Sequence, residues 1–371
     1  MSIIAASRLR AAVGTSTLIG QDLGSGRYKY LSLELANNGK LYAAPFNTSQ
    51  VLEIDPVAGT STFIGQDLGG GGGKYLSLKL ANNGKLYAAP RNASQVLEID
   101  PVAGTSTLIG QDLGGGGDKY SSLELANNGK LYAAPRDASK VLEIDPVAGT
   151  STLIGQDLGG GGNKYLSLEL ANNGKLYAAP FDASQVLEID PVAGTSTLIG
   201  QDLGGGGDKY FSLELANNGK LYATPRDASK VLEIDPVAGT STFIGQDLGG
   251  GVDKYQILKL ADNGKLYAAP RNASQVLEID PVAGTSTFIG QDLGGGGNKY
   301  QSLELANNGK LYAAPFDASQ VLEIDPVAGT STFIGQDLGG GDDKYQILKL
   351  ADNGKLYAAP RKASQVLEID P

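Results

Sequence analysis

The chain has 371 residues, a formal net charge of −10, and neither cysteine nor histidine. Those absences exclude disulfides, thiolate metal sites, cysteine nucleophiles and the side chain that most often serves as general base or zinc ligand. The acidic balance is wrong for a nucleic-acid binder, and no run of about 18 apolar residues exists to span a membrane.

The opening segment MSIIAASRLRAAVG lacks an apolar core and a cleavage site, so no signal peptide is expected and a cytoplasmic location is the default. From there on the chain is periodic. Gly-Thr-Ser-Thr begins at 14, 59, 104, 149, 194, 239, 284 and 329, a constant step of 45. Such self-similarity decides the architecture before any local reading does. Residues 1–371 are therefore expected to form one repetitive domain, with a lead-in over 1–13 and eight repeats over 14–371.

Residues 59–103 serve as the specimen unit. TSTFIG, at 60–65, is rich in β-branched residues and reads as a strand. LGGGGGK follows and is too glycine-rich for regular structure. YLSLKLA, at 75–81, places leucine at 76, 78 and 80, the period-two pattern of a strand. Asn83-Gly84 signals a tight hairpin, expected as a type I′ turn with φ > 0 at both central residues. KLYAA returns, and Pro90 ends the ladder because it has no N–H to donate. Arg91–Ser94 reads as a loop, QVLEI at 95–99 as a strand, and Asp100-Pro101 as the start of a turn into the next Thr-Ser-Thr. No stretch carries helical spacing over ten residues, so the class is all-β.

Four antiparallel strands in 45 residues match one blade of a propeller. An open solenoid would need atypical capping units, and here the end units resemble the middle ones. The chain enters just before a Thr-Ser-Thr strand and stops just after a Val-Leu-Glu-Ile strand. Joining the ends would complete one hairpin turn. The expectation is an eight-bladed β-propeller whose N-terminal strand, near residues 15–20, supplies the outer strand of the blade formed by 344–371. This velcro closure leaves no unpaired end. Leu33, Leu35, Leu41, Tyr42, Leu52, Ile54 and their copies are the expected packing between blades.

The string KLYAAP…VLEIDPVAGTST resembles the YVTN/NHL-type propeller repeats with their G-x-L-Y-V-A … V-x-V-I-D-P-x-T-G pattern, and the likeness extends over all eight units. The signatures of WD40 and kelch blades are missing. The resemblance implies a binding scaffold. It also implies that the glycine loop and the Arg/Phe-Asn/Asp-Ala-Ser loop share one face, around the mouth of a central channel.

Several motifs invite chemistry. Gly69–Lys74 has Leu68 and Tyr75 where a phosphate-binding loop needs glycine and Ser/Thr, and a strand follows instead of a helix. It reads as an inter-blade connection whose backbone amides offer at most a weak anion nest. Asn47-Thr48-Ser49, Asn92-Ala93-Ser94 and Asn272-Ala273-Ser274 match the glycosylation sequon, but Asp137, Asp182, Asp227 and Asp317 hold the same place. An Asx-turn explains both residue types. Glu98, Asp100 and Asp67 recur in every unit and read as strand and turn residues. Near-identical blades would give each copy one environment, whereas a catalytic carboxylate pair needs two, so enzymatic function is not expected. No calcium-loop run is present, and no cofactor or metal is indicated.

The positions at which the units differ carry more information. The residue after the proline is Phe46, Arg91, Arg136, Phe181, Arg226, Arg271, Phe316 and Arg361, and arginine and aromatic residues are common anchors of binding surfaces. These eight are the candidate ligand-binding residues, with neutral drift at exposed positions as the competing explanation. The last residue of the glycine loop varies as Gly73, Asp118, Asn163, Asp208, Asp253, Asn298 and Asp343. On the innermost strand Glu34, Lys79, Glu124, Glu169, Glu214, Lys259, Glu304 and Lys349 form a mixed ring, read as charge pairing between adjacent blades, with a shared ion in the channel left open.

The sequence therefore reads as a non-enzymatic, symmetric propeller scaffold or binding module, from a recently amplified repeat or a deliberate symmetric design. The rival is a multivalent, lectin-like binder with a site on each blade. No nucleic-acid or membrane partner is indicated. A monomer is expected, with strand-swapped self-assembly because the blade interfaces are nearly interchangeable.

Overall fold

The computed structural model of the protein describes residues 14–371; the lead-in over 1–13 and most of the segment read for a signal peptide lie outside the described residues. Eight four-stranded antiparallel sheets follow one another as blades of a propeller. In the first blade the strands are Glu34–Leu35, Leu41–Ala43, Val51–Asp55 and Thr60–Ile64, from the channel outwards. The eighth blade consists of Tyr345–Leu350, Leu356–Pro360 and Val366–Asp370, completed by Thr15–Ile19 from the other end of the chain, in the register Thr15↔Asp370 to Ile19↔Val366. Closure is as the repeat phase implies. Among the described residues no helix is long and apolar enough to cross a membrane.

The second strand of each blade explains the ring. Leu41, Tyr42 and Ala43 are all fully buried, so both faces of the sheet lie in the core. Side chains alternate between faces: Leu41 and Ala43 pack with Leu52 and Ile54 against Tyr357, Ala359 and Val366 of the eighth blade. On the opposite face Tyr42, Ala44 and Val51 meet Leu86, Leu97 and Ile99 of the second blade. This alternation repeats around the ring, and the residues read as core occupy it; Leu35 is only half-buried at the channel end.

Polar links accompany the apolar ones. The Asn83 amide donates to the Tyr87 hydroxyl (2.8 Å) and to the carbonyl of Pro146 in the following blade (3.2 Å). Tyr87 donates to Glu98 Oε2 (2.8 Å), and Lys85 holds Glu98 Oε1 at 2.7 Å. On the outer side Gln66 N donates to Ser106 Oγ (3.1 Å) of the next blade. The approach is so close that a Cβ on Gly65, itself at φ +74, would sit 2.2 Å from that oxygen. Only glycine fits there.

Two local expectations need correction. The Asn-Gly hairpin is not type I′: Gly84 has φ 79, but neither Asn82 nor Asn83 has positive φ. Gly84 N donates to Ala81 O (3.0 Å) and Ala81 N to Lys85 O (2.9 Å), so three residues form a type I turn closed by a left-handed glycine. The extra Asn82 lengthens the loop and moves the left-handed position onto glycine alone. The innermost strand is also not continuous over 75–81. In five blades it is reduced to two residues, here Lys79–Leu80, plus an isolated Tyr75↔Pro90 bridge. It reaches six residues only at Tyr210–Leu215, Tyr255–Leu260 and Tyr345–Leu350, each with a register shift. The bulge bends the strand at the crowded axis.

Tyr177 is fully buried at the interface of the fourth and fifth blades, its hydroxyl donating to Glu188. Tyr177→Ala is expected to cost about 3–5 kcal/mol, on the scale of large aromatic deletions. Tyr177→Phe should cost about 1–3 kcal/mol by leaving its buried partners unmatched. Chemical denaturation of both variants checks this; an unchanged midpoint for the alanine variant contradicts the packing described.

Candidate functional site

The glycine loops enter each blade on the face where the Arg/Phe loops emerge. The loop concavity is not an anion nest. Lys119 fills it from within, its Nζ donating to the carbonyls of Gly114 (2.7 Å) and Gly116 (2.8 Å). Lys164, Lys209, Lys299 and Lys344 repeat the arrangement. Burial lowers the affinity of these ammonium groups for the proton, with neighbouring aspartates opposing. The amide N–H groups are occupied too, since Gly114 N donates to Asp112 Oδ1 (2.8 Å).

The sequon asparagines have a use that local sequence does not reveal. Asn92 Oδ1 accepts from the N–H of Asp118, 26 residues on in the next blade, at 2.9 Å. Asn47 caps Gly73 and Asn272 caps Asn298 likewise, and Asp137 does the same for Asn163, each at 2.9 Å. The Asx side chain thus ties one blade to the next instead of closing a turn in its own loop, and an aspartate serves as well as an asparagine.

The capped residue at the loop end explains the variable series read from the sequence. Asp118, Asn163, Asp208, Asp253, Asn298 and Asp343 all have positive φ, between 41 and 57°, and Gly73 has φ 72°. Glycine, asparagine and aspartate tolerate this conformation best. Tyr28 occupies the same place in the first blade at φ 55°. The sequence count gives seventeen tyrosines, two per unit plus Tyr28, and reads tyrosine as part of the repeat rather than as a special site; the place of Tyr28 at the loop end corrects that reading.

All eight candidate residues line one cavity at the mouth of the channel, about 810 Å³ in volume. They are not independently exposed. Phe181 and Phe316 are buried, and the rest are half-buried against one another. Each arginine that follows a phenylalanine blade stacks on it: Arg91 over Phe46 at 5.1 Å, Arg226 over Phe181 at 4.9 Å and Arg361 over Phe316 at 4.5 Å. Phe211, one blade on from Phe181, meets it edge-on at 6.4 Å. The arginines that follow an arginine instead share its carboxylate. Arg91 and Arg136 both reach Asp118 (2.5 and 3.4 Å), and Arg226 and Arg271 both reach Asp253. Burial pulls the pKa of Arg91, Arg271 and Arg361 below its ordinary value, with the aspartates partly restoring it.

Deeper in the channel the charged ring is largely paired. Lys79 holds Glu124 at 2.8 Å, Lys349 holds Glu34 at 3.0 Å, and Lys259 lies 3.6 Å from Glu304. Glu214 accepts from Leu260 N (3.3 Å). Glu169, flanked by two further glutamates, accepts no hydrogen bond among the described residues. Burial, reinforced by Glu124 and Glu214, pushes its carboxyl up to about 8. A carboxyl raised in the folded state favours folding below its unfolded pKa and loses that contribution as pH rises toward 8. Glu169→Gln is therefore expected to stabilise the protein by about 1–3 kcal/mol at pH 8 and by progressively less toward pH 4. Thermal midpoints across that range check this, and a gain independent of pH contradicts it.

No protein-family model matches the sequence, and no curated protein does. Solved structures match the fold. Streptogramin B lyase superposes with a TM-score of 0.62 at 11% identity, covering 96% of this chain and 97% of the other. A catalytically inactive His-to-Ala variant of virginiamycin B lyase from Staphylococcus aureus, with quinupristin, gives 0.59 at 12% identity over 96% and 99%. The computationally designed Ika8 protein gives 0.67 at 14% identity over 95% and 100%. The expectation that the chain is not an enzyme does not stand, because enzymes share this fold. The argument from identical blade environments also fails, since Glu169 and Glu124 occupy the same repeat position with different partners. At these identities the likeness shows the fold alone: the protein is an eight-bladed β-propeller similar to both lyases and a designed propeller.

Proposed function

We propose that this chain is a ligand-binding propeller of the YVTN/NHL-like kind that takes one small ligand per ring in the mouth cavity. The observation that carries the reading is convergence. Residues that differ between otherwise near-identical blades come from all eight of them and line a single cavity of about 810 Å³. A concave site with aromatic walls and a few polar anchors is the usual form of a small-molecule site. Five arginines and the rings of Phe46, Phe181, Phe211 and Phe316 provide both here. The lectin-like alternative needs eight separate sites, but lysines fill the glycine loops and the variable side chains share one space. Among the lyases of this fold, the inactive His-to-Ala variant was solved with quinupristin. This chain has no histidine, so that residue has no counterpart in it.

The chain has no tryptophan, so Phe46→Trp places a single reporter in the cavity wall. Screening a library of organic acids, aromatic metabolites and glycans against this variant should yield ligands that shift its emission with a stoichiometry of one per chain by calorimetry. A stoichiometry near eight, or ligands that bind without altering the emission, would contradict the reading.

A further inference from the structure

The mouth arginines follow a rule that breaks at one place. Each reaches forward to the loop-end residue of the next blade, 27 positions on. Arg91 Nη2 donates to Asp118 (2.5 Å), Arg136 Nε to Asn163 (2.6 Å), Arg226 Nε to Asp253 and Arg271 Nε to Asn298 (3.1 Å). At the junction of the eighth and first blades the corresponding residue is Tyr28. Its ring stacks on Arg361, 4.3 Å from the guanidinium carbon, whereas the other four arginines meet an acceptor oxygen at this position. Arg361 Nε and Nη1 are closed to solvent and have no hydrogen-bond partner among the described residues. The nearest carboxylate, Asp343, is 3.8 Å from Nη1 and is held by Lys362 at 2.8 Å.

A second position breaks at the same junction. The Asx residue that caps the next loop elsewhere is Lys362 here. The junction has thus lost both amide- or carboxylate-bearing side chains and gained a cation. On its outer side a second cavity of about 450 Å³ is lined by Arg27, Lys344 and Lys362 against Asp342. A buried donor without an acceptor is unfavourable, and Tyr28 is held in a left-handed conformation that bulky residues rarely adopt.

The geometry points to this junction as an oxyanion subsite of the mouth cavity, one that takes an organic carboxylate with a flat body. The carboxylate occupies the place that Asp118, Asn163, Asp253 and Asn298 fill at the other arginines. Tyr28 swings off Arg361 to admit it, and the flat body takes the space its ring leaves, while Arg361 stays stacked on Phe316. A guanidinium N–H donating to a carboxylate makes a charge-assisted bond stronger than a neutral one. The inference rests on the reading of the mouth as a binding site.

Benzoate is the probe and benzamide its uncharged control, titrated into the full chain by calorimetry and by the Nε–H resonances of arginine-labelled protein. Benzoate, and not benzamide, should bind one to one and shift one arginine Nε–H signal, which is absent in Arg361→Lys. Affinity should fall at least tenfold in Arg361→Lys. It should fall as far in Tyr28→Asn, where the new amide oxygen takes the ligand's place, whereas Tyr28→Phe should bind as the parent does. Unperturbed Arg226 and Arg271 signals establish that the mouth is intact in each variant. Failure of benzoate to bind, or an unchanged affinity in either Arg361→Lys or Tyr28→Asn, overturns the subsite. The wider reading of the mouth falls only if the library screen also finds no one-to-one ligand.

Discussion

Everything in this molecule follows from sheets that are apolar on both faces. An antiparallel sheet commonly buries one side and wets the other, but here the Leu-Tyr-Ala strand of every blade is buried throughout. A blade with two apolar faces needs a neighbour on each side. A row of such blades therefore always leaves two faces exposed unless it closes. Ring closure is the arrangement that covers them all, and the outer strand Thr15–Ile19 fastens it by pairing with Val366–Asp370.

The same repetition that builds the ring confines individuality to one end of it. Interfaces between blades are close copies of one another: the amide and hydroxyl of Asn83 and Tyr87 recur in every blade, and the bond to the Pro146 carbonyl recurs at all but the seventh-to-eighth interface. Substitution there would have to be matched in every copy. At the channel mouth the backbone is already supported by the buried lysines and the Asx caps, so side chains can differ from blade to blade without disturbing the sheets. The consequence is a symmetric body carrying an asymmetric lining of arginine, phenylalanine and aspartate. At one seam, between Arg361 and Tyr28, the arginine lacks the loop-end acceptor that the other four arginines have, and the Asx cap is replaced by Lys362.

Much of this is legible in the sequence, because a period of 45 residues and a two-residue alternation are properties of the chain itself. The blade count, the strand order, the closing strand and the grouping of Phe46, Arg91 and their counterparts at one mouth all follow from those two periods and the repeat resemblance. What escapes is contact between repeats. Nothing local to Asn92 says that it caps Asp118, and nothing near Arg136 says that it bonds Asn163. Asn-Gly does not distinguish the hairpins, because it serves both the two-residue turn and the last two positions of the three-residue one. The exclusion of catalysis failed for a related reason: equal sequence positions do not guarantee equal surroundings, as Glu124 and Glu169 demonstrate.

The central claim is that the geometry of the blade interface, rather than the length of the chain, fixes the number of blades. A chain spanning residues 14–191 holds four units in the same strand phase as the whole. Its own ends cannot meet around a ring of four, whereas its outer strand can complete the last blade of a second copy, because the pairing partners are nearly identical in every unit. Native mass spectrometry of this half-length chain, refolded at micromolar concentration, is the direct measurement. The account predicts a folded dimer that restores eight blades; a stably folded monomer, or a trimer with twelve, would contradict it.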